Sequence, residues 1–306
     1  MKYYTPILRL KTGEINAIDK LKPETKKILK PLFYFDEIPN DNILEKLPEF
    51  FFYDTLGNDN IIKQFKEKIN EKNGIPVIYL SSLTSNIDNI DNDKEICIRL
   101  TLEDFDNINI FNHLKTFENK NLIIDFQNIN TMPNGILNLL INTIKPVLEK
   151  KWNYITIAGT TIPDSMSNID IGESFIERKE WTLLYKNFVE EFDFINYSDY
   201  TIVNPTSITD TTFDPKIMSP AAKIRYTLED NFFIVKGKSF RKYGGDQYEE
   251  LSKKIINSTY YKGDNFSYGD NLIKEASIKK IKGNLTTWVT IDINHHIELV
   301  ASQLSN

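Results

Sequence analysis

The sequence predicts an α/β protein, a TIM-like (β/α)8 barrel. Three observations predict it. Short apolar runs alternate with longer stretches of helical periodicity, about eight such runs can be counted, and 306 residues suit one barrel. Strands that alternate with helices pair in parallel through right-handed crossovers. An open doubly wound parallel sheet is the alternative fold. Residues 1–306 read as a single domain, with 205–306 adding a hairpin, loops and C-terminal helices.

The elements follow in order. Tyr4–Leu10 reads as the first strand, with a helix from about Glu14 to Leu21. Ile28–Phe35 and Phe50–Asp54 are the second and third runs, and the amphipathic Ile61–Ile69 follows. Pro76–Ser81, Glu95–Thr101 and Leu122–Gln127 are the fourth to sixth. A helix over Gly135–Lys151 shows apolar residues at helical spacing, and His113 sits on an earlier helical stretch. Tyr154–Gly159 is the seventh run, Trp181–Phe192 is helical, and Thr201–Asn204 is the expected eighth strand. Ile224–Thr227 and Phe232–Val235 read as a hairpin whose second arm is the alternative closing strand. Helices are expected near Gln247–Ile256 and Ile297–Leu304, with a loop over Tyr260–Gly269.

Composition narrows the class. A formal charge of −6, from 37 basic and 43 acidic residues, favours solubility and does not indicate a nucleic-acid coat. The lone Cys97 cannot form an internal disulfide and reads as a small buried hydrophobe. Arg9 and Lys11 interrupt the first apolar run, so it is no signal peptide, and no stretch is apolar enough to cross a membrane. The cytoplasm is the expected compartment.

Polar residues at strand ends carry the functional signal. Successive strand side chains alternate faces. Leu8 and Leu10, Ile98 and Leu100, and Ile124 and Phe126 would face helices. Arg9 and Lys11, Arg99 and Thr101, and Asp125 and Gln127 would then face the axis near the C-terminal mouth, where barrel enzymes hold their sites. Arg9, Lys11 and Arg99 beside Asp125 suit a phosphate or carboxylate, or else form an ion-pair network that fills the barrel.

Two further constellations stand out. Asp292-Ile293-Asn294-His295-His296 is expected at the start of the last helix. There Asp292 or Asn294 would cap it, or one histidine would serve as acid or base. Adjacent helical residues point about 100° apart, so both histidines do not readily ligate one metal. Lys236-Gly237-Lys238 with Arg241-Lys242-Tyr243-Gly244-Gly245 mixes cations and glycines, as phosphate loops do, but lacks Walker spacing and reads first as a solvated loop. No GxSxG, HExxH or CxxC motif occurs.

These residues carry a resemblance. Pro6-Ile7-Leu8 with Lys11 and Gly13-Glu14, then Ile224-Arg225-Tyr226-Thr227, resemble motifs of the family named after the beta protein of a T-even coliphage. Phe233-Ile234-Val235-Lys236-Gly237 is similar to a third stretch, with Lys236 in place of the usual Arg. Tyr268-Gly269-Asp270 and Trp288 with Asn294-His295-His296 complete the ordered set over nearly the whole chain. The resemblance implies a barrel-like α/β fold, an origin in phage or bacterial defence loci, and a neighbour-encoded protein partner. It supplies no reaction. It marks Lys11, Glu14, Asp125, Arg225, Lys236, Asp270, Trp288, His295 and His296.

The expected function is binding of an anionic, phosphate-containing ligand at the barrel mouth. Hydrolysis of a phosphodiester or nucleotide is the expected reaction if the chain is an enzyme. Asp125 or Glu14 would be base or ligand to a divalent metal ion, and His295 or His296 the acid. Arg9, Lys11 and Arg99 would hold developing charge, and Gln127, Arg225, Lys236, Asp270 and Trp288 would contact the ligand. A non-catalytic sensor or immunity partner is the rival. A sugar- or lipid-phosphate phosphodiesterase barrel ranks lower, because the His-Gly and paired Glu signals are missing.

Overall fold

The computed structural model describes residues 2–69, 72–80, 95–106, 114, 117, 119–131, 134–206 and 220–305. His113 lies outside the described residues. Met1–Leu10, Lys30–Thr160 and Leu183–Tyr200 make up one unit, and Lys11–Leu29, Thr161–Thr182 and Thr201–Asn306 another.

The first unit is a closed barrel of eight parallel strands. They are β1 Tyr4–Arg9, β2 Leu32–Tyr34, β3 Phe50–Asp54, β4 Asn73–Tyr79, β5 Cys97–Leu100, β6 Asn121–Asn128, β7 Tyr154–Thr160 and β9 Asn196–Asp199, with β8 Gly172–Glu177 standing outside the ring. The apolar runs form strands because both faces are covered. Phe51, Phe52 and Tyr53 are fully buried, and Phe65 of the helix Asp59–Ile69 packs on Tyr53 and Phe51 with ring centroids 4.9 and 6.2 Å apart.

The closing strand differs from the expectation. Thr201–Asn204 is not a strand; β9 is the polar Asn-Tyr-Ser-Asp just before it. All four of its residues are buried because each polar group has a partner. Asn196 Nδ2 donates to the Ile155 carbonyl (2.9 Å) and Ser198 Oγ to the Thr5 carbonyl (2.6 Å). Asp199 accepts from the hydroxyls of Tyr4 (2.7 Å) and Tyr197 (3.1 Å). The second strand is also shorter than its apolar run, since Ile28 belongs to the helix Pro23–Ile28 that Pro23 opens.

Parallel register partners share a face, so Arg9, Tyr34 and Asp54 line up across β1, β2 and β3, as do Tyr79 and Arg99 across β4 and β5. Near the strands' N-terminal ends the ammonium of Lys30 lies over the rings of Tyr3, Tyr154 and Phe50 at 4.1, 4.5 and 4.8 Å. Thr5 Oγ1 meets the Tyr154 hydroxyl at 2.7 Å. The opposite, C-terminal ends carry Arg9, Asp54 and Arg99.

The second unit holds the three-stranded antiparallel sheet β10–β11–β8, with β10 Ala221–Thr227 and β11 Asn231–Ser239 forming the expected hairpin. Phe232–Val235 therefore belongs to this sheet and does not close the barrel. One face of the hairpin packs Ile224, Tyr226, Phe233 and Val235 with Tyr248, Ile273, Trp288 and Ile291.

The helix Leu285–Leu304 is longer than expected and places Asp292–His296 in its middle. Its cap is Asn284, which forms a capping box with Thr287, so neither Asp292 nor Asn294 caps it. Asn294 instead donates to the Ala17 carbonyl (3.0 Å) and accepts from the Gly269 N–H (2.9 Å), and Thr290 donates to the Gly13 carbonyl (2.9 Å). Helices this close need small residues. A Cβ on Gly269 would overlap the Ile291 carbonyl oxygen, and one on Gly13 would lie 3.1 Å from Val289 Cγ1. Gly269→Ala is accordingly expected to lower stability by about 2 kcal/mol or more, because backbone must move to admit a methyl. Denaturant unfolding checks this, and a loss within error would refute the close-packing account.

Candidate functional site

Arg99, near the end of β5, is the centre of the barrel's polar tier. It is 3% exposed and every guanidinium nitrogen has an acceptor. Nε donates to Asp125 Oδ2 (3.2 Å), and Nη2 donates to the same oxygen and to the Tyr200 hydroxyl (2.9 Å). Nη1 donates to Asp54 Oδ2 (2.8 Å) and to the Tyr79 hydroxyl (3.2 Å). Asp54 ends β3 and Asp125 lies on β6; strands that are not neighbours can meet one guanidinium from β5 only inside the barrel. The guanidinium also lies 4.8 Å from the Tyr34 ring.

The hydroxyls complete the network. Tyr79 donates to Asp54 Oδ2 (2.8 Å) and Tyr200 to Asp125 Oδ2 (2.5 Å). The remaining carboxylate oxygens take backbone N–H groups, Leu56 to Asp54 (2.8 Å) and Gln127 to Asp125 (2.9 Å). Burial pushes the Asp54 carboxyl up to about 7; bonds from Tyr79 and Leu56 oppose the rise and the Asp125 charge adds to it. Burial, with the neighbouring carboxylates, pushes the hydroxyls of Tyr79 and Tyr200 above their usual range, so both stay neutral donors.

Of the sequence-predicted residues, the barrel unit brings together Arg99 and Asp125 directly. Arg9 ends β1 as the half-buried register partner of Tyr34. Gln127 departs from the alternation. The β6–β7 register shifts between Asp125 and Asn128, and Gln127 takes a positive φ of 53° that bends the chain over the carboxylate. Thr101 lies beyond β5 and donates to Asp104 (N–H, 2.7 Å). Lys11 lies beyond β1 as the exposed residue before the helix Thr12–Asp19, so strand alternation does not aim it. Sequence reasoning missed Asp54, Tyr79, Tyr34 and Tyr200. The position of Asp54 at the end of the run Phe50–Asp54 was the available signal.

The second unit gathers most residues of the resemblance. His295 meets Asp270 Oδ2 through Nδ1 (2.8 Å), and its Nε2 donates to the Thr227 carbonyl (2.9 Å), which can only accept. Asp270 also accepts from Ser267 Oγ (2.5 Å) and the Tyr226 hydroxyl (2.7 Å), and the Tyr226 ring stacks on His295 at 3.8 Å. Burial pushes the Asp270 carboxyl up, but the His295 charge and bonds from His295, Ser267 and Tyr226 outweigh it and hold it below its usual range. His296 pairs with Thr227 Oγ1 (2.9 Å) and stacks on Phe232. Both histidines are buried, at 1% and 0% exposure. Trp288 stacks on Tyr248 at 3.9 Å and Glu14 is buried in its helix.

Arg225 Nε donates to Asp292 Oδ2 (2.8 Å). Lys236 donates to the carbonyls of Met166 (2.9 Å), Ser167 (3.1 Å) and Ile169 (2.5 Å). In the basic loop, Gly237 makes room for Gln247, whose Oε1 accepts the Lys238 N–H at 2.8 Å; that is packing, with Lys238 exposed. Among the described residues no group of three or more His, Cys, Asp or Glu side chains could hold a metal ion. No helix among them is long and apolar enough to cross a membrane.

The raised Asp54 pKa fixes a pH signature. A carboxyl whose folded pKa exceeds its unfolded value contributes stability at low pH and loses it as pH rises through the folded pKa. The stability of the wild type relative to Asp54→Asn should therefore fall between about pH 4 and about 7 and level off above. A difference that is flat over this window in paired denaturant titrations would contradict the buried assignment.

A family model described as Beta protein matches residues 4–302, and the chain belongs to that family. No curated protein and no solved structure matches it.

Proposed function

We propose that this member of the Beta protein family binds an anionic, phosphate-containing ligand at the C-terminal rim of its barrel. One observation carries the reading. Arg9, Tyr34, Asp54, Tyr79, Arg99, Asp125 and Tyr200 come from separate strands or the residue just after one, all at the end where barrel enzymes keep their sites. Asp54, Asp125 and Arg99 are buried, whereas Arg9, Tyr79 and Gln127 are half-buried and are the side chains a ligand would meet.

Charge supports an anion. Asp125 accepts four hydrogen bonds, and burial pushes the Asp54 carboxyl up to about 7. Arg99 and Arg9 both place positive charge at these strand ends, and an incoming anion would hold the proton on Asp54. Arg9 would supply the charge that contacts the ligand, and Tyr79 would connect it to Asp54. A carboxyl that exchanges its proton near neutral pH suits hydrolysis of a phosphodiester or nucleotide. The implied setting in phage or defence loci supports a nucleotide as the ligand.

A second reading has its own observation: every polar atom of the Arg99 guanidinium and of both carboxylates already has a protein partner. Such a network suits a structural plug in a non-catalytic chain that recognises a neighbour-encoded protein.

Calorimetric titration with ATP and a dinucleotide, with phosphate release followed in parallel, separates the two. The ligand reading expects binding that weakens from pH 6 to pH 8, loses about tenfold or more in Arg9→Ala, and loses its pH dependence in Asp54→Asn. Absence of saturable binding in the wild type, or equal binding by Arg9→Ala, leaves only the plug.

A further inference from the structure

The second unit contains cations that the barrel reading does not use. Lys223 and Arg225 alternate on one face of β10, and Lys223 is the register partner of Lys236 on β11. Antiparallel partners bring their side chains together, so two ammonium-bearing residues stand directly opposed with Arg225 beside them. All three are half-buried. Such an arrangement is unfavourable unless each charge is balanced.

Two of the three have partners. Lys236 is held by the carbonyls of Met166, Ser167 and Ile169, and Arg225 gives its Nε to Asp292. Among the described residues nothing accepts from the Lys223 ammonium or from the two terminal amines of Arg225. Among the described residues the balance is therefore three cations to one carboxylate. Burial and the charge of Arg225 pull the Lys223 pKa down to about 8, against the attraction of Asp292 and with a further push from Lys236. The Asp292 carboxylate is buried and grips the inner edge of the guanidinium, so the two terminal amines are left as an oriented fork.

We propose that this face of the β10–β11 hairpin binds an oxyanion, a phosphate or phosphoryl group, between the terminal amines of Arg225 and the ammonium of Lys223. The donor set matches the ligand. The fork offers parallel N–H groups to two oxygens, and the ammonium offers a mobile third contact and a second charge. A phosphate adds a third oxygen for the ammonium and a second negative charge, which a carboxylate lacks. The site lies wholly within the second unit and does not rest on the proposal for the barrel rim.

The test uses the full chain and inorganic phosphate, with chloride at matched ionic strength as the control. Arg9→Ala serves as the background, so that the barrel rim does not contribute. Saturable binding, and a rise in Tm with phosphate, are expected in that background. Adding Lys223→Met should weaken phosphate binding by about tenfold or more. Without phosphate it should raise Tm, since it removes one of two opposed cations. Arg225→Lys keeps a cation for Asp292 but removes the fork, and should weaken binding comparably; if it does not fold, Lys223→Met alone decides. No saturable response to phosphate in the Arg9→Ala chain, or unchanged binding on adding Lys223→Met, overturns the proposal.

Discussion

A permanent charge sealed inside a closed sheet governs the barrel. Arg99 cannot shed its proton, and taking a guanidinium out of water costs several kcal/mol unless partners surround it. Asp54, Asp125, Tyr79 and Tyr200 are those partners, and they come from β3, β6, β4 and the residue after β9. The requirement reaches beyond the contacts themselves. It decides which residues end those strands, and it calls for the turn at Gln127 whose N–H satisfies the last Asp125 oxygen. One carboxylate neutralises the arginine; the second is surplus, which is why burial can lift Asp54 to about 7 without breaking the network.

That constraint was partly visible in the sequence, through the period of two. Arg99 and Asp125 stood out because their neighbours Ile98, Leu100, Ile124 and Phe126 are apolar, and the pattern assigned faces correctly. Asp54 did not stand out, because four aromatic residues precede it and an aromatic run shows no alternation. The last barrel strand was invisible for the opposite reason. Asn196–Asp199 is polar by composition and buried in fact, since each polar side chain is matched by a group from elsewhere in the barrel. Hydropathy records the side chain and not its partner. Lys11 marks the other limit: alternation ends with the strand, and the sequence did not show that β1 stops at Arg9.

The motifs of the second unit were legible as residues but not as roles. Gly269, Asp270, Asn294 and His295 look like chemistry when listed together, and they do converge. What they converge on is packing. Gly269 lets two helices touch, Asn294 ties a third helix to them, and His295 bridges Asp270 to the backbone of β10. A polar residue buried in a helical assembly needs its donors and acceptors matched as strictly as a ligand site does. Spacing alone therefore cannot separate the two uses.

Donor accounting does separate them. Arg99 and Arg225 are the same residue type, each beside a buried aspartate, yet they differ in what is left over. Arg99 has an acceptor for all three nitrogens, so a ligand could engage that guanidinium only by displacing protein groups, and the rim proposal accordingly assigns direct contact to Arg9, Tyr79 and Gln127. Arg225 uses Nε alone and stands beside an ammonium that nothing among the described residues accepts from. A fully matched cation is already stabilised where it is, whereas a half-buried unmatched one gains by binding an anion. The physical case for direct anion contact is therefore stronger at Lys223 and Arg225 than at Arg99, even though Arg99 lies at the end of a barrel strand, where function would first be sought.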